Sequence, residues 1–356
     1  MLGDWRSHAE YQQDLLSFAR REFERDPLAL KGFETTFVKF YNLNLDAILE
    51  DFVPLFSDTG RPSNFQPEIF RALVLMSDRK ESSFEEWTIT GNATPLFCAL
   101  VGVEQGQFPK ASTMRDFISR LWLEEPPERL KTVETKPKEK YGKEKKPPKN
   151  PGIIAQLAAK ALNGETFGDV PEELLQTMFT KTALIPSIEA GLIKNPDKLV
   201  ASGDGTCIES HASSNGVKTE TEGVRRFSDP QANWGWDSYH ERWFFGYTGY
   251  ILSTTNPELK VDLPIYIRFA EASQFDGVTL ITAFAHARAI YDGIITFDSL
   301  LADSAHDNFA TYNLLNEWQV KPFIDLNSRS ATEPKLARGL RRAGLCGWLR
   351  YGQLGL

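Results

Sequence analysis

From the amino terminus to about residue 130, apolar residues recur at three- and four-residue steps, the period of amphipathic helices. FQPEIFRALVLMSDR sets Ile69, Phe70, Leu73, Val74 and Met76 on one broad stripe, with Pro67 near the helix start. SFEEWTIT and ATPLFCALVG predict shorter helices. FPKASTMRDFISRLW opens with Pro109, predicts a capping box between Thr113 and Asp116, and gives Met114, Phe117, Ile118 and Leu121 one face. Such a cluster reads either as a plain helical domain or as a DNA-binding head. Lys131–Asn150 holds lysines and prolines with almost no apolar residues, so it predicts a solvated linker or exposed loop. It serves equally as a solubilising connector or as a phosphate-binding arm. Helical periodicity resumes from Ile153 to about Lys198.

At Leu199 the character of the chain changes. LVASGDGTCIE, RWFFGYTGYILSTT and VDLPIYIRFAEA predict strands rich in aromatic and β-branched residues. SQFDGVTLITAFAHARAIY then predicts a helix, with Ser273 and Asp276 as its capping box and Leu280, Ala283, Phe284 and Ala287 on its core face. SLLADSAHDN predicts a short buried strand ending in acids, NFATYNLLNEW a helix, and VKPFIDLN a last strand. Three strands, then helix, strand, helix and strand, define an α/β layer arrangement with a mixed sheet. Three regions follow: a helical domain over 1–130, a lysine-rich linker and helical connector over 131–198, and an α/β core over 199–356.

With 356 residues, 41% of them hydrophobic, and eight tryptophans, the chain can bury a sizeable core. Its three cysteines, Cys98, Cys207 and Cys346, lie far apart without CxxC spacing, which argues against structural zinc and suits a reducing cytoplasm. Met1 leads into a polar stretch rather than a basic-then-apolar signal, and no apolar run approaches the ~20 residues of a membrane span. A soluble cytoplasmic protein with no membrane partner is expected. The net charge of −8 counts modestly against a dedicated DNA-binding protein, although the lysines are concentrated locally.

Asp204 is out of place in its strand, because Asp is disfavoured there and a buried unpaired carboxylate is costly. Asp303 sits where the fourth strand of the block runs out. If the two strands are neighbours, both carboxylates project from one sheet edge and can bind Mg²⁺ or Mn²⁺. Two such ions about 3.5–4 Å apart activate a nucleophile and stabilise the leaving oxygen of a phosphodiester. Gly203 and Gly205 would then let a metal or a phosphate backbone approach closely. Gly-Asp-Gly is also a plain turn signal.

SGDGTCIESHAS, RRFSDPQANWGWDSYHERWFFGY, LLADSAHDNFATYNLL and PFIDLNSR together resemble the core motifs of bacterial insertion-sequence DDE transposases. The stretch from FRALVLMSDRKESSFEEWTITGNATPLFCALVG through FPKASTMRDFISRL resembles the helical region before that core, so the likeness extends to about Arg329. The resemblance implies a ribonuclease H-like mixed sheet with flanking helices, preceded by an α-helical N-terminal domain. It also implies metal-dependent DNA strand transfer, with Asp204 and Asp303 as the first two catalytic acids, each helping to hold Mg²⁺ or Mn²⁺. Lys218, Arg225 and Arg226, in the polar loop after the first strand, would contact phosphates, with ordinary surface charge the alternative.

The family's third acid is a glutamate on a helix beyond the last strand. Here the only downstream glutamate, Glu333, directly precedes Pro334, where helix is disfavoured. The expectation is a core cut short before that residue, with strand chemistry absent or weakened. Trp234, Trp236 and Trp243 either stack on bases or pack the sheet. Ser304, His306 and Asp307 are too close in sequence for a hydrolase triad, whose members converge from separate elements. His306 and Asp307 instead support the metal site or cap the next helix, and Asp325 is a spare acid or a structural cap. The expected function is a nucleoid-associated transposase acting on transposon ends and target DNA, with a homodimer among its expected states. The alternatives are a remnant that only binds DNA or partner transposase, and a ribonuclease H-like nuclease unrelated to transposition.

Overall fold

The structure is a computed structural model; it describes residues 1–123 apart from 27 and 29, then 127–133, and 152–326 apart from 166, 168 and 169. Most of the lysine-rich stretch, and the tail with Glu333 and Cys346, lie outside the described residues. The chain divides into two compact units: Met1–Glu124 with Val170–Pro186, and Glu125–Asp169 with Ser187–Leu356.

The first unit is helical. Helices His8–Arg25, Gln66–Asp78, Phe84–Ala93, Pro95–Val101 and Ala111–Leu121 bury Tyr11, Leu15, Leu75, Trp87, Leu100, Met114 and Phe117 in one core. Each such side chain contributes roughly 1.5–3 kcal/mol through the apolar area it removes from water. Buried polar atoms find partners: the Tyr11 hydroxyl donates to the Leu100 carbonyl at 2.7 Å, and Trp87 Nε1 to the Ala72 carbonyl at 3.0 Å. Ser7 and Glu10 form a reciprocal capping box at the first helix. The box expected from Thr113 and Asp116 is not formed. That helix begins at Ala111 behind Lys110, which draws Thr113 into the first turn.

In the second unit, β1 (Leu130–Thr132) pairs with a short hairpin, β3 (Val217–Lys218) and β4 (Val224–Arg226), to make a small sheet in the order β1–β4–β3. The main sheet is built from β2 (Leu199–Glu209), β5 (Asn233–Asp237), β6 (Arg242–Asn256), β7 (Val261–Glu271), β8 (Phe297–Ala302) and β9 (Lys321–Ile324). The long β6 pairs with β2 on one side. On the other it pairs first with β5 and then with β7, all antiparallel. β8 and β9 add in parallel beyond β2.

Helix Asp276–Ile290 connects β7 to β8, and helix Phe309–Glu317 connects β8 to β9, as parallel pairing requires. Both pack with Ile153–Leu162 through Ile281, Leu314, Ile154, Ala158 and Ala161. The order β7–β6–β2–β8–β9, antiparallel on one side of the first strand and parallel on the other, is a ribonuclease H-like fold. Strand alternation resolves the oddity at Asp204. Leu199, Ala201 and Gly203 are buried while Val200, Asp204 and Thr206 are exposed, so the acid stays in water.

Candidate functional site

In the parallel β2–β8 pair, Gly203 lies opposite Ala302. Asp204 and Asp303 each come one residue further, where the β2–β8 pairing ends; β2 itself runs on to Glu209, with Asp204 paired to Ile251 of β6. Both are exposed and both line one cleft of about 900 Å³. The next strand continues the row: Ile324 pairs with Ala302, and the Asp325 amide donates to the Ala302 carbonyl at 3.2 Å. Asp325 therefore follows the same backbone register, but it does not line the cleft.

The glycines beside Asp204 do a different job from the one expected. A Cβ on Gly203 would lie 2.6 Å from the Tyr250 hydroxyl, and one on Gly205 would lie 2.7 Å from Asp276 Oδ1. The room they leave is filled by protein side chains, not kept open for a metal or a phosphate.

Asp276 also lines the cleft. It occupies the first position of its helix behind Phe275, which makes no side-chain cap, while Ser273 Oγ donates to Glu271 instead. The predicted capping box is absent, and the carboxylate is turned to the cleft. Burial pushes its pKa up; His306 acts the other way, and Asp204 and Asp303 push it up further. The helix N-terminus it occupies favours negative charge. Sequence reading missed Asp276 because an acid in a helix's first turn has an ordinary capping explanation. The one available signal was its place directly after a strand of the same sheet.

Behind the pair stands a buried relay. His306 is fully buried, with Nδ1 2.7 Å from Asp303 Oδ1 and Nε2 3.0 Å from the Tyr250 hydroxyl. Burial, then Asp276, Asp204 and Asp303, raise the Tyr250 pKa well above its ordinary value. The His306 ring thus bridges the buried Tyr250 hydroxyl and the Asp303 carboxylate through its two nitrogens. His306 therefore holds Asp303 from behind. Asp307 does not cap the following helix; Asn308 does, accepting from the Ala310 amide at 2.9 Å.

The predicted cationic residues lie on the small sheet. Lys131 pairs with Arg225, and Arg225 with Lys218, so three cations form one row across three strands. Arg226 belongs to the neighbouring row, with Leu130 and Val217. Directly opposed like charges repel, so the Lys131 row is a concentrated patch of positive charge. Trp234, Trp236 and Trp243 pack against cross-strand rings on the β5–β6 hairpin yet stay about half exposed or more.

No family model matches the chain, and no curated protein sequence matches it. Among solved structures it aligns with a Mos1 transposase paired-end complex with left transposon end, at 10% identity over 98% of this chain and 89% of that chain, TM-score 0.19. It also aligns with the Mos1 strand transfer complex, at 9% identity over 90% and 78%, TM-score 0.21. A pre-cleavage Mos1 transpososome aligns at 9% identity over 99% and 92%, TM-score 0.17. The fold assignment rests on strand order and direction, not on these superpositions. Among the described residues no helix is long and apolar enough to cross a membrane.

Proposed function

We propose that this chain is a transposase-type protein that binds double-stranded DNA and cleaves and transfers its strands, with Asp204 and Asp303 holding Mg²⁺ or Mn²⁺. The observation that supports this best is the equivalent register of the two carboxylates, each one residue past the last β2–β8 pair and both lining one cleft of a ribonuclease H-like sheet.

The donor set fits a hard cation that keeps part of its shell for other oxygens. Asp204 Oδ1 accepts from the Gly205 amide at 2.8 Å, and Asp303 Oδ1 from the Ala305 amide at 3.0 Å, so each has a second oxygen to offer. Among the described residues no three His, Cys, Asp or Glu side chains form a complete cage. Mg²⁺ is commonly held by one or two carboxylates with water and substrate phosphate oxygens completing the octahedron. When bound, such a cation stabilises charge on a phosphoryl oxygen and lowers the pKa of a bound water.

The chain's own contribution is placement. His306 fixes the Asp303 carboxylate, and Tyr250 fixes His306. Asp276 adds negative potential to the same cleft, which raises the preference of the site for cations. Lys131, Lys218 and Arg225, with Arg226 beside them, supply the phosphate contacts.

A binding-only protein is the second reading, favoured by the absence of a three-ligand cage among the described residues. A gel-shift assay run beside Mg²⁺-dependent plasmid nicking separates the two. Nicking that requires the metal supports the enzyme. DNA binding without nicking at any Mg²⁺ or Mn²⁺ concentration selects the binding-only protein. Metal-dependent nicking with no preference for inverted-repeat ends would select a general nuclease.

A further inference from the structure

We propose that the β5–β6 hairpin is a stacking platform for unpaired bases of a single DNA strand entering the carboxylate cleft; this deepens the DNA-cleavage reading and rests on it. Trp234 pairs with Phe245, and Trp236 with Trp243, so four aromatic rings stand on one face of the two strands. Trp234, Trp236 and Trp243 are 48%, 51% and 65% exposed, and Tyr239 at the hairpin tip is 89% exposed. Ring centroids lie 5.6 Å apart in the first pair and 5.3 Å in the second. Large aromatics left this open mark a binding surface more than a folding core.

The back of the hairpin is pinned, so the rings are held ready. A Cβ on Gly235 would lie 2.5 Å from the Ala272 carbonyl, and Phe244 on the same face is buried. At the tip, Asp237 holds His240 through a 2.7 Å contact with Nδ1.

What stands at either end of the platform selects a nucleic-acid strand as its occupant. At one end, Lys131 of the cation row donates to the Pro230 carbonyl, three residues before β5 begins. At the other end, Trp236 and Tyr239 line the same cleft as Asp204 and Asp303. Cations for the sugar–phosphate backbone, then rings, then carboxylates is the arrangement by which single strands are held, since every base offers a face to stack on. A duplex hides those faces in its own stack, so the platform distinguishes unpaired from paired DNA.

The test uses fluorescence anisotropy of the full chain in EDTA, which removes cleavage from the readout. Two labelled DNAs of equal length are compared, a blunt duplex and a duplex ending in a single-stranded overhang. The parent is expected to bind the overhang DNA more tightly. Trp236→Ala and Trp243→Ala should each weaken overhang binding by about tenfold and leave the blunt duplex within about twofold. Trp236→Phe and Trp243→Phe should recover most of the loss, which shows that the ring, not the fold, is read. Equal binding of both DNAs by the parent overturns the platform while leaving the duplex-binding reading standing. An Ala variant that loses both DNAs equally, or neither, also overturns it. Self-association of the parent that the Ala variants abolish would assign the rings to a second copy of the chain. Failure of the parent to bind either DNA removes both the platform and the DNA reading.

Discussion

Gly205 and Asp276 share one space: a Cβ at position 205 would fall 2.7 Å from Asp276 Oδ1 and 3.0 Å from Thr248 Cγ2. Gly205→Ala therefore forces the carboxylate or the strand to move. It should destabilise the protein by about 1–3 kcal/mol, the usual cost of overpacking. Thr206→Ala, at the exposed neighbouring position, should stay within about 0.5 kcal/mol. Urea unfolding of the two variants beside the parent makes the comparison. Equal stability of both would mean that Asp276 does not occupy that space.

His306 ties Asp303 to Tyr250 from a fully buried position. His306→Ala leaves the Tyr250 hydroxyl without a partner and opens a cavity, at a cost of about 2–4 kcal/mol. Thermal unfolding reads that loss. Duplex binding, if the cation row carries it, should persist in the variant at temperatures where it remains folded.

The Asp276 pKa is raised in the folded protein by burial and by the neighbouring aspartates. The folded state then holds this proton more tightly than the unfolded chain does. The group consequently destabilises the fold at neutral pH, and that penalty fades as pH falls toward the ordinary Asp range. Asp276→Asn removes the ionisation. Stability of the variant relative to the parent should increase from pH 4 to pH 7, measured by urea titration at each pH. A relative stability that falls over the same interval would reverse the sign argued here.

Lys131, Arg225 and Lys218 share one row, and Arg226 lies in the next. If the row meets phosphates, replacing all three by Gln should reduce the slope of log affinity against log salt by about 2–3, close to one unit per lost contact. Arg226→Gln alone should reduce it by about 1 or less. Anisotropy titrations of a duplex between 50 and 200 mM salt, roughly the range over which such slopes are read, supply both numbers. An unchanged slope in the triple variant would return these residues to ordinary surface charge.

Much of the fold was legible because long segments carried one period. β6 and the helix Asp276–Ile290 match the apolar runs that predict them, and the order of strands and helices followed from those runs. Asp204 and Asp303 stood out for a different reason: one interrupts an apolar strand and the other ends one, while their shared register needed the structure. What stayed hidden depends on contacts between distant segments. The Tyr250–His306 relay joins residues 56 apart in the chain. Asp276 was concealed by a local alternative, since an acid opening a helix reads as a cap. Lys131 was assigned to a solvated linker because its pairing with Arg225 spans the chain from the first sheet strand to the hairpin. The two glycines flanking Asp204 were assigned to a ligand. In the folded chain they make room for Tyr250 and Asp276.

The proposed cation-holding role of Asp204 and Asp303 is tested most directly by Mg²⁺-dependent nicking of supercoiled plasmid by the parent, Asp204→Ala and Asp303→Ala. The account predicts a nicking rate at least about 100-fold lower in each variant, the scale on which losing a catalytic cation acts, with duplex binding within about twofold of the parent. Nicking that continues at the parent rate when either aspartate is gone would contradict it.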